Sequence, residues 1–141
     1  MSERKKHWGL NLLIIFVLII VALTFAAHYK NWTRIKPNTI EILSGVYYKQ
    51  IPFSDINSIS LVYRIPSMER INGFSALKKE KGVFKDSLNN ENKVYVYVDN
   101  LSNAKIKIVY KDSLKLYMNY KDSLETQVLH EFLLTKTQSV K

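Results

Sequence analysis

No cysteine occurs among the 141 residues. A disulfide scaffold, a zinc ribbon, a thiol nucleophile and a lipid-modified N-terminal cysteine are therefore excluded. Histidine is nearly as scarce, with His7, His28 and His130 alone, and the first two flank an apolar run. No His-x-x-x-His pair, Gly-x-Ser-x-Gly elbow or phosphate-cradling glycine loop is present. The carboxylates are scattered singly, with no pair at a spacing that suggests acid–base work. No catalytic residue, metal ligand or cofactor is expected. With only four glycines and three prolines, the chain also lacks the composition of a disordered or low-complexity segment.

What the sequence has in excess is apolar side chains at one end. From Trp8 to Ala27 there is no charged residue, and the centre runs Leu12-Leu13-Ile14-Ile15-Phe16-Val17-Leu18-Ile19-Ile20-Val21. Twenty residues in a helix cover about 30 Å, the thickness of a hydrocarbon core. Only a helix satisfies its own backbone there. Trp8 at one end, and Tyr29 and Trp32 at the other, are placed as interfacial aromatics, with Lys5, Lys6, Lys30 and Arg34 as the flanking cations. A cleaved signal peptide is the rival reading, but the run is long for one, and Thr24-Phe25-Ala26 is a poor small-residue cleavage site. An uncleaved helix over 8–27 in the cell (inner) membrane is expected, with residues 1–7 as its basic flank. The contiguous Arg4-Lys5-Lys6 cluster favours a cytoplasmic N-terminus, which would leave the rest of the chain outside the cytoplasm.

Beyond a basic juxtamembrane linker (28–38), stopped by Pro37, the apolar period changes to two. Strands are expected around Ile40–Leu43, Val46–Ile51, Ile59–Arg64, Val83-Phe84, Val94–Val98, Ile106–Ile108 and Leu114–Tyr120. Asp99–Asn103 has hairpin length. Seven short strands with no room for parallel crossovers predict an antiparallel meander. A terminal helix over 122–134 follows, capped by Asp122 with Glu125 three residues on, and with Leu124, Val128, Leu129, Phe132 and Leu133 on one face. It is suited to closing an open end of a curved sheet; 136–141 is left as a tail. The repeated Tyr-Lys-Asp-Ser-Leu (110–114 and 120–124, with a near-copy at 84–88) reads as a strand end: first a turn, then a helix cap.

Gly45 with Tyr47, Ser54-Asp55-Ile56, Ile65-Pro66, Arg70 with Asn72-Gly73, and Gly82-Val83-Phe84 together resemble bacterial pleckstrin-homology-like (PH-like) domains, in particular small membrane-attached ones. The resemblance covers roughly 39–135. It implies a partly closed barrel of about seven antiparallel strands with a C-terminal capping helix, but supplies no ligand.

Charge is the remaining signal. Setting aside Glu3, Arg4, Lys5 and Lys6, the chain carries 18 basic and 11 acidic residues. The stretch Arg64–Lys85 holds six cations against Glu69 and Glu80. If it is a loop over a sheet, Arg70, Lys78, Lys79 and Lys81 are the candidate contacts for an anionic ligand or lipid headgroup. The charge is too dispersed for nucleic acid. Asn31-Trp32-Thr33 and Asn100-Leu101-Ser102 match the glycosylation pattern by chance. The expected role is a membrane-anchored binding or scaffolding module contacting a membrane protein, a peptide or an anionic lipid surface; the alternative is an accessory subunit acting through its membrane helix.

Topology is directly measurable. A reporter active only outside the cytoplasm, fused after Lys141, should give signal, and a cytoplasm-active one should not. The reverse pattern overturns the orientation.

Overall fold

The first element of the computed structural model, which describes residues 7–87 and 92–140, is a helix, α1 (Trp8–Tyr29). Its 22 residues cover roughly 33 Å, and it is long and apolar enough to cross a membrane. None of its side chains is buried. The helix does not run on to Pro37. Lys30 is extended (φ −148°, ψ 166°), and a strand, β1 (Trp32–Ile35), begins inside the stretch expected to be a linker. Pro37 serves a different purpose: Pro37-Asn38 is the two-residue turn into β2 (Thr39–Ser44), closed by Lys36 N–H donating to Thr39 O at 2.8 Å.

β2 then pairs with β3 (Tyr47–Pro52), completing a three-stranded antiparallel sheet in the order β1-β2-β3. A 3₁₀ turn (Phe53–Asp55) leads to β4 (Ile56–Val62). β5 (Glu69–Ala76), β6 (Lys79–Lys85), β7 (Lys93–Val98), β8 (Lys105–Tyr110) and β9 (Leu114–Asn119) follow, and the C-terminal helix is α2 (Ser123–Val140). The second sheet has six strands in the order β4-β8-β9-β7-β6-β5.

Three expectations are corrected. The body has nine strands in two sheets, because β1 and β5 carry no simple alternation: both are mostly exposed edge strands. The all-antiparallel meander fails at β7 and β9, which are parallel, with Val94 opposite Lys115 and Val98 opposite Asn119. No helix crossover is needed, because β8 itself is the connection. It lies beyond β9, so 99–104 spans two strand positions and is not a hairpin turn. The basic stretch 64–85 is largely the β5–β6 hairpin, not a loop.

The apolar pattern explains which strands are central. β7 reads Val-Tyr-Val-Tyr-Val, apolar on both faces, and is buried on both. Its tyrosine face joins Ile40, Ile42, Ile51, Phe53, Ile106, Ile108, Leu116 and Met118 in the main core between the two sheets and α2. Its valine face joins Phe84 and Tyr117 in a second cluster on the far side, roofed by Val62, Ile65 and Met68. Gly73 and Gly82 face each other across the β5–β6 ladder. A Cβ on Gly82 would lie 2.3 Å from Asn72 O, and one on Gly73 as close to Lys81 O. The two strands approach so closely that only glycine fits at either position.

α2 packs on β4, β8 and the 3₁₀ turn. It begins as expected: Asp122 Oδ1 accepts Leu124 N–H at 2.8 Å. It extends through residues expected to be tail, and its inward face is Thr126, Leu129, Leu133 and Thr137. Leu124 and Val128 are instead exposed, and Phe132 is on the margin.

Burial raises the pKa of Tyr97, Tyr110, Tyr117 and Tyr120, desolvation being the largest cause in each. An unfolded tyrosine ionises near pH 10, so the stability these groups contribute is present below that pH and lost as pH rises towards their folded values. Lys81 and Lys105, lowered by burial, act with the opposite sign: stability rises with pH from their lowered folded values up to about pH 10.4, where the lysines of the unfolded chain lose their protons too. With four tyrosines against two lysines, the fold should unfold cooperatively above about pH 10. The Tyr110 hydroxyl is buried with no hydrogen-bond partner among the described residues. Tyr110→Phe should therefore be neutral or stabilising at pH 7 and should move the alkaline midpoint upward, as followed by circular dichroism.

Candidate functional site

The residues that join α1 to the β body form the most polar part of the interior. Asn31, two residues past the helix, is 2 % exposed. Its amide donates to Tyr97 O at 2.6 Å and to Asn119 O at 2.7 Å, and its Oδ1 accepts from Ser44 Oγ at 2.5 Å. Its backbone N–H donates to Asp99 Oδ2 at 2.7 Å. The other Asp99 oxygen lies 3.0 Å from the Lys81 ammonium, and both side chains are fully buried. Asn119 in turn accepts from Asp99 N–H and Asn100 N–H and donates to Asn100 O and Ala104 O. One connected network thus ties the helix exit to β2, β6, β7 and β9.

Two turns grip the last helical turn from outside. Gly45 N–H donates to Ala27 O at 3.1 Å, and the His28 ring lies so close that a Cβ on Gly45 would be 2.8 Å from it. Gly45 also has φ +64°, which itself favours glycine. From the β5–β6 hairpin, the Phe74 ring packs on His28 at 5.4 Å between centroids, and Lys79 donates to the carbonyls of His28 and Tyr29. A cation on the terminal carbonyls complements the negative end of the helix dipole.

This arrangement redistributes the expected contact residues. Lys81 cannot meet a ligand at the surface, because its ammonium is buried against Asp99. Lys79 caps α1 and lies over the Tyr29 ring. Arg70 bonds Ser75 and Glu80 and stacks over Phe84. Lys78, at the hairpin tip, is exposed, as is Arg70 despite its contacts. Of the expected interfacial residues, Trp8 and Tyr29 are exposed at the two ends of α1, Lys30 lies 4.4 Å over the Trp32 ring, and Arg34 is exposed on β1. Lys5 and Lys6 lie outside the described residues, as does Leu88 of the near-repeat. Asn31 is no glycosylation acceptor in this fold, since its amide is consumed in the interior.

Beside the junction lies a surface that the strand assignment had hidden. β1 is an edge strand. Lys36 bonds Thr39, so the alternation places Arg34 and Trp32 in the bonded pairs and turns the N–H and C=O of Thr33 and Ile35 outward. The same two residues, with Tyr120 and with Leu124, Val128 and Phe132 of α2, line an open groove of about 520 Å³. Trp32, Ile35, Leu124 and Val128 are each at least 40 % exposed. An apolar helix face therefore runs alongside a strand edge with free backbone groups. No group of three His, Cys, Asp or Glu residues is close enough to hold a metal ion among the described residues.

No protein family, curated protein or solved structure matches this chain.

The network makes Asn31 more than a spacer. Asn31→Ala should cost about 3 kcal/mol, because it strands two buried carbonyls and the Ser44 hydroxyl. Asn31→Asp, though nearly isosteric, should cost at least as much, because it sets a carboxylate against those carbonyls beside Asp99. Urea unfolding in detergent micelles measures both; a mild Asp variant would reduce Asn31 to a packing role.

Proposed function

We propose that this chain is a single-pass, membrane-anchored binding and scaffolding module that holds a polypeptide partner in the groove between β1 and α2. The observation that carries the reading is the juxtaposition in that groove of outward backbone groups on Thr33 and Ile35 with exposed Leu124, Val128 and Phe132. An extended segment adding to β1 would gain main-chain hydrogen bonds from the edge and side-chain burial from the helix, the two requirements of strand addition. Arg34, exposed on the same edge, favours a partner segment with acidic residues, whereas Lys36 is already paired with Glu41 at 2.5 Å. Anchoring by α1 raises the effective concentration of a partner in the same membrane, so a modest groove suffices.

Kinship with bacterial PH-like domains belongs to this proposal as well. A β body followed by a C-terminal helix favours it; the parallel β7–β9 pair departs from the sequential antiparallel order it implies. The groove reading does not rest on it.

Ile35→Pro tests the reading with little disturbance, because the Ile35 N–H faces away from β2 and proline is tolerated at such an edge position. A photocrosslinker at Val128, in native membranes, should capture a polypeptide, and Ile35→Pro should lower the yield at least about tenfold, the loss of roughly 1.4 kcal/mol. Replacing Trp8–Ala27 by a leucine helix should leave the yield unchanged. Capture insensitive to Ile35→Pro but lost with the leucine helix would favour an accessory subunit acting through α1.

A further inference from the structure

The β5–β6 hairpin ends in a two-residue turn, Leu77-Lys78, since Ala76 and Lys79 are its last pair. Leu77 has φ +55° and is completely exposed. The first position of such a turn ordinarily takes glycine or asparagine, because a side chain there is strained. Among the described residues the most exposed large apolar side chain stands there, and neither folding nor the groove uses it.

The surroundings of the tip point to its partner. Leu77 lines a recess of about 450 Å³ with Tyr29, the last residue of α1, and with Lys78, Lys79 and Lys121. The same hairpin sends Phe74 down along α1, where it roofs a groove floored by Ile20, Val21 and Phe25. The hairpin is thus fixed at the level of the last turns of α1 by the Phe74–His28 and Lys79–Tyr29 contacts. An apolar tip ringed by lysines beside a terminal tyrosine matches the chemistry of the bilayer interface: acyl chains for the leucine, phosphates for the ammonium groups. Val46, 74 % exposed in the turn bonded to Ala27, adds a second apolar side chain at the same end of the body.

On the reading of α1 as a membrane span, we infer that the β5–β6 hairpin docks on the bilayer, with Leu77 inserted among the headgroups and Lys78 and Lys121 on anionic phosphates. The β body then lies against the membrane surface at a fixed height, held at two places: by α1 and by the hairpin tip.

The absence of cysteine makes the test clean. Full-length chains carrying Leu77→Cys, Leu18→Cys or Ser113→Cys are labelled with an environment-sensitive fluorophore and reconstituted into phosphatidylcholine–phosphatidylglycerol vesicles. Ser113, in the β8–β9 turn at the opposite end of the six-stranded sheet, is the aqueous reference, and Leu18 marks the span. The label at position 77 should be quenched by a headgroup-proximal nitroxide lipid and shielded from iodide. Lys78→Glu should shift its docked fraction by about fivefold or more. Iodide quenching at 77 as strong as at 113, with position 18 still quenched by lipid, overturns the docking and leaves the span intact. Iodide quenching at 18 as well overturns the span, and the docking with it.

Discussion

The Asp99 carboxylate is the point on which the rest of the structure turns. Its two oxygens meet the Asn31 N–H, two residues past the helix, and a fully buried ammonium, and its own N–H is held by Asn119. Such a pair is not a source of large net stability, because desolvation offsets most of the attraction. What it enforces is register. If β6 slipped by one residue, Lys81 would swing to the other face and the Asp99 carboxylate would be left buried without its cation, a penalty of about 3–5 kcal/mol. The direction in which α1 leaves the body is thereby tied to the pairing of strands far along the chain.

That coupling explains why the site was only partly legible in the sequence. The apolar run and the terminal helix were readable, because a charge-free stretch and an i, i+4 pattern with a capping Asp are local signals. β7, β8 and β9 were readable as strands, but their order was not. Nothing in Val94–Val98 says that β9 will insert between it and β8, although an apolar pattern on both faces hinted at a central position. β6 was readable only at Val83-Phe84; its first half was hidden by Lys81, which reads as a solvated charge and is in fact fully buried. Lys105 misleads in the same way: a lysine next to the alternating Ile106 and Ile108 reads as solvated, yet it is 1 % exposed and bonded to Tyr63 O and Leu101 O. Lysine inside a small domain is rare because it requires a partner of matching geometry, and that partner is distant in sequence.

The groove was missed for a related reason. Leu124, Val128 and Phe132 share a helix stripe with Leu129 and Leu133, so periodicity assigns all five to the core. The packing splits them: Leu129 and Leu133 meet the sheets, and the other three fall where β1 stands away from α2. The signal that could have shown this is the width of the stripe, which is broader than one contact with a sheet requires.

Edge strands normally carry a defence against pairing, and the two edges nearest the helix exit carry different ones. β5 has Glu69 and Arg70 and a register shift between Arg70 and Asn72, which bends the strand and disrupts its ladder. β1 has Arg34, Lys36 and then Pro37, but the cations belong to the pairs bonded to β2, while the outward backbone groups belong to Thr33 and Ile35, on the face that lines the apolar groove. Lys36 is neutralised by Glu41, so it is the Arg34 charge that repels a second copy of the same edge, without covering its hydrogen-bonding groups. A complementary segment meets no such barrier. In the proposed reading the anchor adds a further restriction, because a body held against the bilayer offers this edge at one height and one angle. Indiscriminate pairing is discouraged by charge and by geometry, and the backbone groups stay free for a partner that satisfies both.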